Sequence, residues 1–293
     1  MADNPHIGHR QRMRRKLFEY SRRVFDTYEL LEMLLYFSIR VTDTNPVSKA
    51  LLRKFSSLNG VLHAEYSELI SVEGVGEKSA KLIVGVNRLH KALFYKGVSE
   101  ASIGDDSVIL SLRDLASLIG IKDFAISKLT ERFTPKQIFE ADGDTLAKLV
   151  GESAACLILL VSALASRRIT DRYKKQKRLS DKDTENYLIG LFFGLPCENV
   201  YMLSFSDKRE LICADFISEG ILNGSEILPL KLIETAKKRD AHSVIIAHNH
   251  PMASAKPSQD DIAATRLVSA ILSENGITLF AHYTVSQNQV IKV

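Results

Sequence analysis

Two histidines one residue apart, followed by a serine and an aspartate, are the side chains in this sequence best suited to chemistry: His248-Asn249-His250-Pro251, then Ser258 and Asp261. Two imidazoles and one carboxylate suit zinc, and three protein ligands leave a fourth position open to water, as catalytic rather than structural sites do. The elements that must position them can be read around them. The apolar run Ser243-Val244-Ile245-Ile246-Ala247 predicts a buried strand, and on a strand residues i and i+2 share a face, so His248 and His250 point the same way. A loop closed by Pro257-Ser258 follows, and Ile262, Leu267, Ile271 and Leu272 have the spacing of a helix from Asp261 to Ser273.

The chain has room for two or more domains, and with 45% hydrophobic and 25% charged residues over 293 positions it is globular rather than disordered. Met1 to His6 contain no apolar stretch after a basic start, so no secretory signal is read there. The longest apolar stretch, Cys156 to Ala165, is about half of a membrane span. A soluble, cytoplasmic protein is expected. Cys156, Cys197 and Cys213 are too widely spaced for a disulfide framework or a CxxC zinc site, which leaves buried thiols. Charge divides unevenly: residues 181–293 hold 10 basic and 14 acidic side chains, net −4, which leaves +8 for residues 1–180. The first part is therefore the candidate for a polyanion contact.

In that first part, His9 to Lys16 with Arg22 and Arg23 reads either as a solvated basic helix face or as a phosphate-contacting one. Helices are predicted over Thr27 to Ser38 and Pro46 to Phe55, the second capped by Asn45. A short apolar helix then runs into Gly74-Val75-Gly76, and a second helix begins at once with Glu77-Lys78-Ser79-Ala80. Glycines permit the tight turn and leave backbone N–H groups open at a helix N-terminus, where a phosphate can sit with Lys78 beside it. This resembles the helix-hairpin-helix motif of sequence-independent DNA-binding proteins, and it implies Gly74, Val75, Gly76 and Lys78 as nucleic-acid contacts; a purely packing role stays open. A second copy runs from Arg132-Phe133 to Gly151-Glu152-Ser153-Ala154-Ala155 and lacks the first Gly-Val pair, so it reads as a unit that packs without binding. Lys96 to Ser107 reads as a connector. Arg167 to Arg178, with seven basic residues in twelve, reads as a hydrated linker or helix end, or as a nucleic-acid patch.

The expected fold class is α/β: an all-α helix-hairpin-helix region, then a compact α/β domain with a mixed sheet flanked by helices. The expected domains are residues 1–95, residues 96–179 with the degenerate second hairpin and basic linker, and residues 180–293. In the last, a helix Asp181 to Phe193 capped by Ser180 precedes strands Val200 to Phe205 and Glu210 to Ile217. A helix opened by Pro229 leads to the histidine strand, and Ile277 to Phe280, Tyr283 to Ser286 and Val290 to Val293 are three further strands.

Residues 181–293 resemble the JAMM (MPN-plus) zinc metallohydrolase domain, and the two halves together resemble the bacterial RadC family. The pattern His-x-His-Pro, six residues, Ser, two residues, Asp is reproduced from His248 to Asp261, with Asp261 rather than Asp260 in the ligand position. The family's upstream glutamate corresponds to Glu198 before Asn199-Val200-Tyr201, and Gly220 and Leu222 also fit. Three features depart from RadC. Met252-Ala253-Ser254-Ala255 replaces Ser-Gly-Asp-Pro, Ala281 replaces the aspartate before His282, and residues 97–178 lie outside the pattern. The resemblance implies Zn2+ held by His248, His250 and Asp261, Glu198 as general base, and Ser258 as donor to a developing oxyanion. It also implies a peptidase- or isopeptidase-like hydrolase acting on a peptide or protein substrate, associated with DNA and linked to DNA repair. Glu198 has a rival reading as a solvated strand-edge acid and Ser258 as a helix cap. His242 and His282 read as packing or surface residues. The alternative function is a nucleic-acid-binding protein whose metal site is non-catalytic. A zinc deaminase needs a Pro-Cys-x-x-Cys pair that Pro196-Cys197 does not complete, and the C-terminal part is too short for an amidohydrolase barrel.

Overall fold

The computed structural model describes residues 8–20, 25–94, 101–173, 176–220, 227–286 and 289–293. The readings placed on Met1 to His6, Arg22, Arg23, Leu222 and the Gln287-Asn288 turn lie outside these residues. Two compact units divide at Arg168/Ile169.

Met1–Arg168 is helical among its described residues. In order it carries α1 (His9–Tyr20), α2 (Thr27–Leu35), α3 (Asn45–Phe55), α4 (Leu58–His63), α5 (Tyr66–Ile70), α6 (Glu77–Leu93), α7 (Ala101–Leu118), α8 (Asp123–Thr130), a 3-10 turn (Gln137–Phe139), α9 (Gly143–Val150) and α10 (Glu152–Tyr173) up to Arg168, the last residues of α10 belonging to the second unit. The cap of α3 is Thr44, one residue before the expected Asn45. The connector expected up to Ser107 is overturned from Ala101 onward, where α7 begins. Gly104, Asp105 and Asp106 carry a turn signal, but Val108, Leu112, Leu115 and Ala116 form a buried stripe at helical spacing, and burial of that stripe outweighs local propensity. By length and composition α10 passes for a membrane span, yet 67% of its most apolar 18-residue window is buried in the protein.

The internal repeat is visible in the element order: α5 and α6 correspond to α9 and α10. Residues 71–76 connect the first pair, while Gly151 alone connects the second. Gly74 and Gly151 both take left-handed φ, +84° and +83°, so the shortened copy retains the reversal and loses the loop. At the end of α10, Arg168 bonds Asn59 and Asn87 and Arg167 bonds the Phe25 carbonyl, so these two cations tie helices together within the unit.

Ile169–Val293 holds α11 (Asp181–Phe192), β1 (Asn199–Phe205), β2 (Leu211–Glu219), α12 (Ile227–Lys238), β3 (Ser243–Asn249), α13 (Gln259–Glu274), β4 (Thr278–Ser286) and β5 (Gln289–Lys292). The sheet order is β2-β1-β3-β4-β5, antiparallel except for β3 and β4, which run parallel and are joined through α13. Ser180 caps α11 as expected, in a reciprocal pair with Asp183. Alternation along β1 and β3 makes two cores. Val200, Met202, Val244 and Ile246 pack with Leu232 of α12 and Val268 and Leu272 of α13. Tyr201, Leu203, Ile245 and Ala247 pack with Leu188 and Phe192 of α11 on the other face. The two strands expected before and after Ala281-His282 are one, β4, whose register sets Ile246 beside His282 and His248 beside Thr284. His282 lies within the strand, its ring bonded to His248 and to Thr265.

Candidate metal centre

β3 ends where its face-sharing pattern turns from apolar to polar. His248 follows Val244 and Ile246 on the α13 side of the sheet, and the first turn of α13 brings Asp261 to meet it. His248, His250 and Asp261 converge, with their ligand atoms within 4.8 Å of one another. His248 Nε2 stands 3.0 Å from His250 Nε2 and 3.0 Å from Asp261 Oδ1, and His250 Nε2 stands 3.6 Å from Asp261 Oδ2. Donors around a tetrahedral zinc ion at about 2.0–2.1 Å lie roughly 3.3–3.4 Å apart; the two separations from His248 Nε2 fall just inside that spacing, and the His250–Asp261 approach is to the other carboxylate oxygen, the one Ser258 holds.

The surroundings prepare these atoms. His250 Nδ1 lies 2.9 Å from the Ser254 carbonyl, which has no proton to give, so Nδ1–H is the donor and Nε2 keeps its lone pair in the neutral ring. Burial lowers the His248 pKa to about 4, helped by His250 and opposed by Asp261. Burial also takes His282 to about 3, helped by His248. For Asp261, burial works upward, but hydrogen bonds from Ser258 and the nearby His248 and His250 outweigh it and hold the carboxyl below the ordinary carboxylate range. His248 and Asp261 are therefore in their metal-binding protonation states near neutrality.

Ser258 caps α13. Its Oγ accepts from the Asp261 N–H at 3.1 Å and donates to Asp261 Oδ2 at 2.7 Å, and its own N–H donates to the same oxygen at 2.7 Å. A hydroxyl has one proton, and here Asp261 receives it. Glu198 immediately precedes β1, and its carbonyl accepts from the Gly220 N–H at 2.9 Å. Val200, two residues on, pairs with His248, so Glu198 enters β1 at the end of the strand pair that carries the candidate ligands.

Several residues in this site were missed from the sequence. The β4 side chains His282, Thr284 and Ser286 are all buried. His282 Nε2 lies 2.8 Å from His248 Nδ1, Thr284 Oγ1 donates to the Ala255 carbonyl, and Ser286 Oγ donates to the Ala253 carbonyl. Reading His282 as mere packing thus omits its contact with a candidate ligand. The signal was the alternation of polar residues at 282, 284 and 286 with apolar ones at 281, 283 and 285. These bonds end on main-chain carbonyls, so the Met252-Ala253-Ser254-Ala255 departure removes none of them. His242 is exposed, as is Asp260.

Gly74, Val75, Gly76 and Lys78 lie in the helical unit between α5 and α6. Val75 is buried and its N–H donates to the Val72 carbonyl, so its side chain packs inward. Gly76 is exposed and precedes α6, whose first turn has no side-chain cap.

Residues 179–292 match the model of the RadC-like JAB domain. The C-terminal unit is a RadC-like JAB domain. Similar proteins carry the family name UPF0758. One from Fusobacterium nucleatum is 26% identical over 289 residues, 98% of this chain and 95% of its own length. One from Photobacterium profundum is 25% identical over 218 residues, 73% of this chain and 96% of its own. One from Rubrobacter xylanophilus is 31% identical over 141 residues, 48% of this chain and 62% of its own. The Fusobacterium match runs across residues 97–178, so that segment, expected to be an addition to the RadC pattern, is spanned by a relative's sequence. The RadC-like domain has the JAMM-type fold and a His-His-Asp cluster placed to hold a metal ion.

Proposed function

We propose that the RadC-like domain is a zinc-dependent hydrolase of amide bonds in peptides or proteins, and that the helical unit holds the chain near DNA. The convergence of two imidazole nitrogens and a carboxylate at the end of β3 carries the reading. A zinc ion held by His248, His250 and Asp261 would supply a water that ionises near neutral pH and a Lewis acid for the carbonyl. Glu198, just before the strand whose Val200 pairs with His248, is the proton acceptor in this reading and would return the proton to the leaving amine. Ser258 keeps Asp261 ionised and aimed; a second role as oxyanion donor requires its proton to leave Asp261 Oδ2. Zinc content together with hydrolysis of a peptide and isopeptide panel tests the assignment. Glu198→Gln is expected to retain zinc and to lose roughly 10²–10⁴-fold in rate; an unchanged rate removes Glu198 as base.

The alternative, a nucleic-acid-binding protein with a non-catalytic metal site, draws support from the uncapped N-terminus of α6 behind exposed Gly76. On α1 the basic run divides: Arg10 donates to the carbonyls of Ile39, Arg40 and Thr42, whereas Arg12 and Arg14 are exposed. DNA binding that steepens with falling salt, with a slope reduced by about 1 in Lys78→Ala, supports the hairpin contact. Zinc retention without hydrolysis of any amide on the panel would favour this alternative.

A further inference from the structure

Behind His248, α13 and β4 meet in a chain of polar groups whose hydrogen positions follow from chemistry. Thr265 Oγ1 lies 2.6 Å from the Asp261 carbonyl oxygen and 2.6 Å from His282 Nδ1. His282 Nε2 lies 2.8 Å from His248 Nδ1, and His248 Nε2 faces Asp261 Oδ1 at 3.0 Å. Thr265, His282 and His248 bring three protons to these four contacts, so one contact goes without; two oxygens 2.6 Å apart require a proton between them, whereas the contact of His248 Nε2 with Asp261 Oδ1, at 3.0 Å, is the longest of the four.

The Asp261 carbonyl has none, so the Thr265 hydroxyl gives its single proton there. Toward His282 the same oxygen is then an acceptor, and His282 Nδ1 must carry hydrogen. A neutral imidazole has one N–H, which leaves His282 Nε2 as a lone pair. The contact between the two rings therefore takes its proton from His248 Nδ1, and His248 Nε2 is left with its lone pair toward Asp261. Both rings are about 3% exposed, where an imidazolium is disfavoured.

We propose that Thr265 and His282 are positioning residues that lock His248 in the Nδ1–H form, so that Nε2 is ready for a metal before one arrives. This rests on His248 being a metal ligand. The lock joins the two elements that supply ligands, because its terminal acceptor is the main-chain carbonyl of Asp261 itself, one helical turn before Thr265. The Ser254 carbonyl fixes His250 in the same sense. Three acceptor atoms then face one another with every imidazole proton directed elsewhere, an arrangement that a cation relieves. Without the Thr265 hydroxyl, His282 Nδ1–H loses its acceptor. The reversed chain, in which His282 Nε2–H donates to His248 Nδ1 and the His248 proton sits on Nε2, then competes, and a metal must displace that proton.

Nitrogen NMR of the full-length, chelator-treated protein with labelled histidine reads the tautomer directly, and competition with a chromophoric chelator reads zinc affinity. Wild type is expected to show His248 protonated at Nδ1. Thr265→Val is expected to show mixed tautomers and to bind zinc about 10–100-fold more weakly, and Thr265→Ser to restore both. Protonation of wild-type His248 at Nε2 overturns the lock, as does a Thr265→Val protein with wild-type tautomers and zinc affinity. A wild type with the Nδ1–H form and no zinc binding removes the metal reading and leaves the lock standing.

Discussion

The side-chain amide of Asn249 takes over the pairing of β1 with β3 after the main chains part. The last main-chain pair is Val200 with His248; beyond it, Asn249 Oδ1 accepts from the Asn199 N–H at 2.8 Å and its Nδ2 donates to the Cys197 carbonyl at 3.1 Å. Asn199 Nδ2 donates to the same carbonyl at 2.7 Å. Glu198 lies between the two clamped peptide groups, so the residue between the two histidines fixes the backbone of the proposed base.

Asn249→Ala leaves the buried Asn199 N–H without its partner. An unsatisfied buried donor costs about 1–3 kcal/mol, and a urea titration of the variant is expected to show a loss of that size for the C-terminal unit. A change within about 0.5 kcal/mol, the ordinary range of surface substitutions, would mean that the clamp is inessential.

Ser258 can be tested as a cap separately from any chemistry. Ser258→Ala removes both hydroxyl bonds to Asp261 and is expected to cost about 1 kcal/mol, with Ser258→Thr recovering most of it. In the alanine variant the Asp261 carboxyl loses one of the bonds that hold its pKa down, so proton competition with zinc should begin at a higher pH. Zinc retention measured against pH decides this, and superimposable curves for the two proteins would count against it.

Acid should destabilise the metal-free protein well above the carboxylate range. Burial depresses His90 to about 3, with the Arg168 charge adding to it, His248 to about 4 and His282 to about 3, all from an ordinary value of 6.5. Between pH 6.5 and about 4 the unfolded chain binds protons that these folded rings refuse, so stability is full above that window and falls as pH falls through it. Each ring contributes up to about 1.4 kcal/mol per pH unit. Urea titrations at about pH 7 and about pH 5 read the difference. His90→Gln is expected to flatten the slope of the helical unit alone; an unaltered slope would show that His90 is protonated in the folded state.

What was legible in the sequence followed the periodicities. A strand that buries both faces shows as the unbroken run Val244 to Ala247, and its two-residue period sets His248 and His250 side by side. The helix cap at Ser258 followed from local spacing, and the choice of Asp261 over Asp260 as candidate ligand from the motif of the resembled family. Contacts that depend on strand order were not legible: β4 lies beside β3 through a parallel crossover, and only that placement turns His282 into a partner of His248. The α7 start was hidden because Gly104 and two aspartates mark a turn, while the stripe that fixes the helix comes later in the chain.

The two glycines of the α5–α6 loop should behave differently, and the difference separates fold from binding. Gly74 has φ +84°, and a Cβ there would stand 2.6 Å from Val47 Cγ2, so Gly74→Ala meets both a disfavoured backbone and a side chain of α3. A loss of about 1–3 kcal/mol is expected in thermal or urea unfolding of the helical unit. Gly76 has φ −88° and nothing within 4 Å of its would-be Cβ, so Gly76→Ala should leave stability within about 0.5 kcal/mol of wild type. The added methyl projects at the N-terminus of α6, where a phosphate would approach the open N–H groups. DNA affinity at fixed salt should therefore fall in Gly76→Ala while the protein remains as stable as wild type. A stable Gly76→Ala protein with undiminished DNA affinity would place the contact away from this loop.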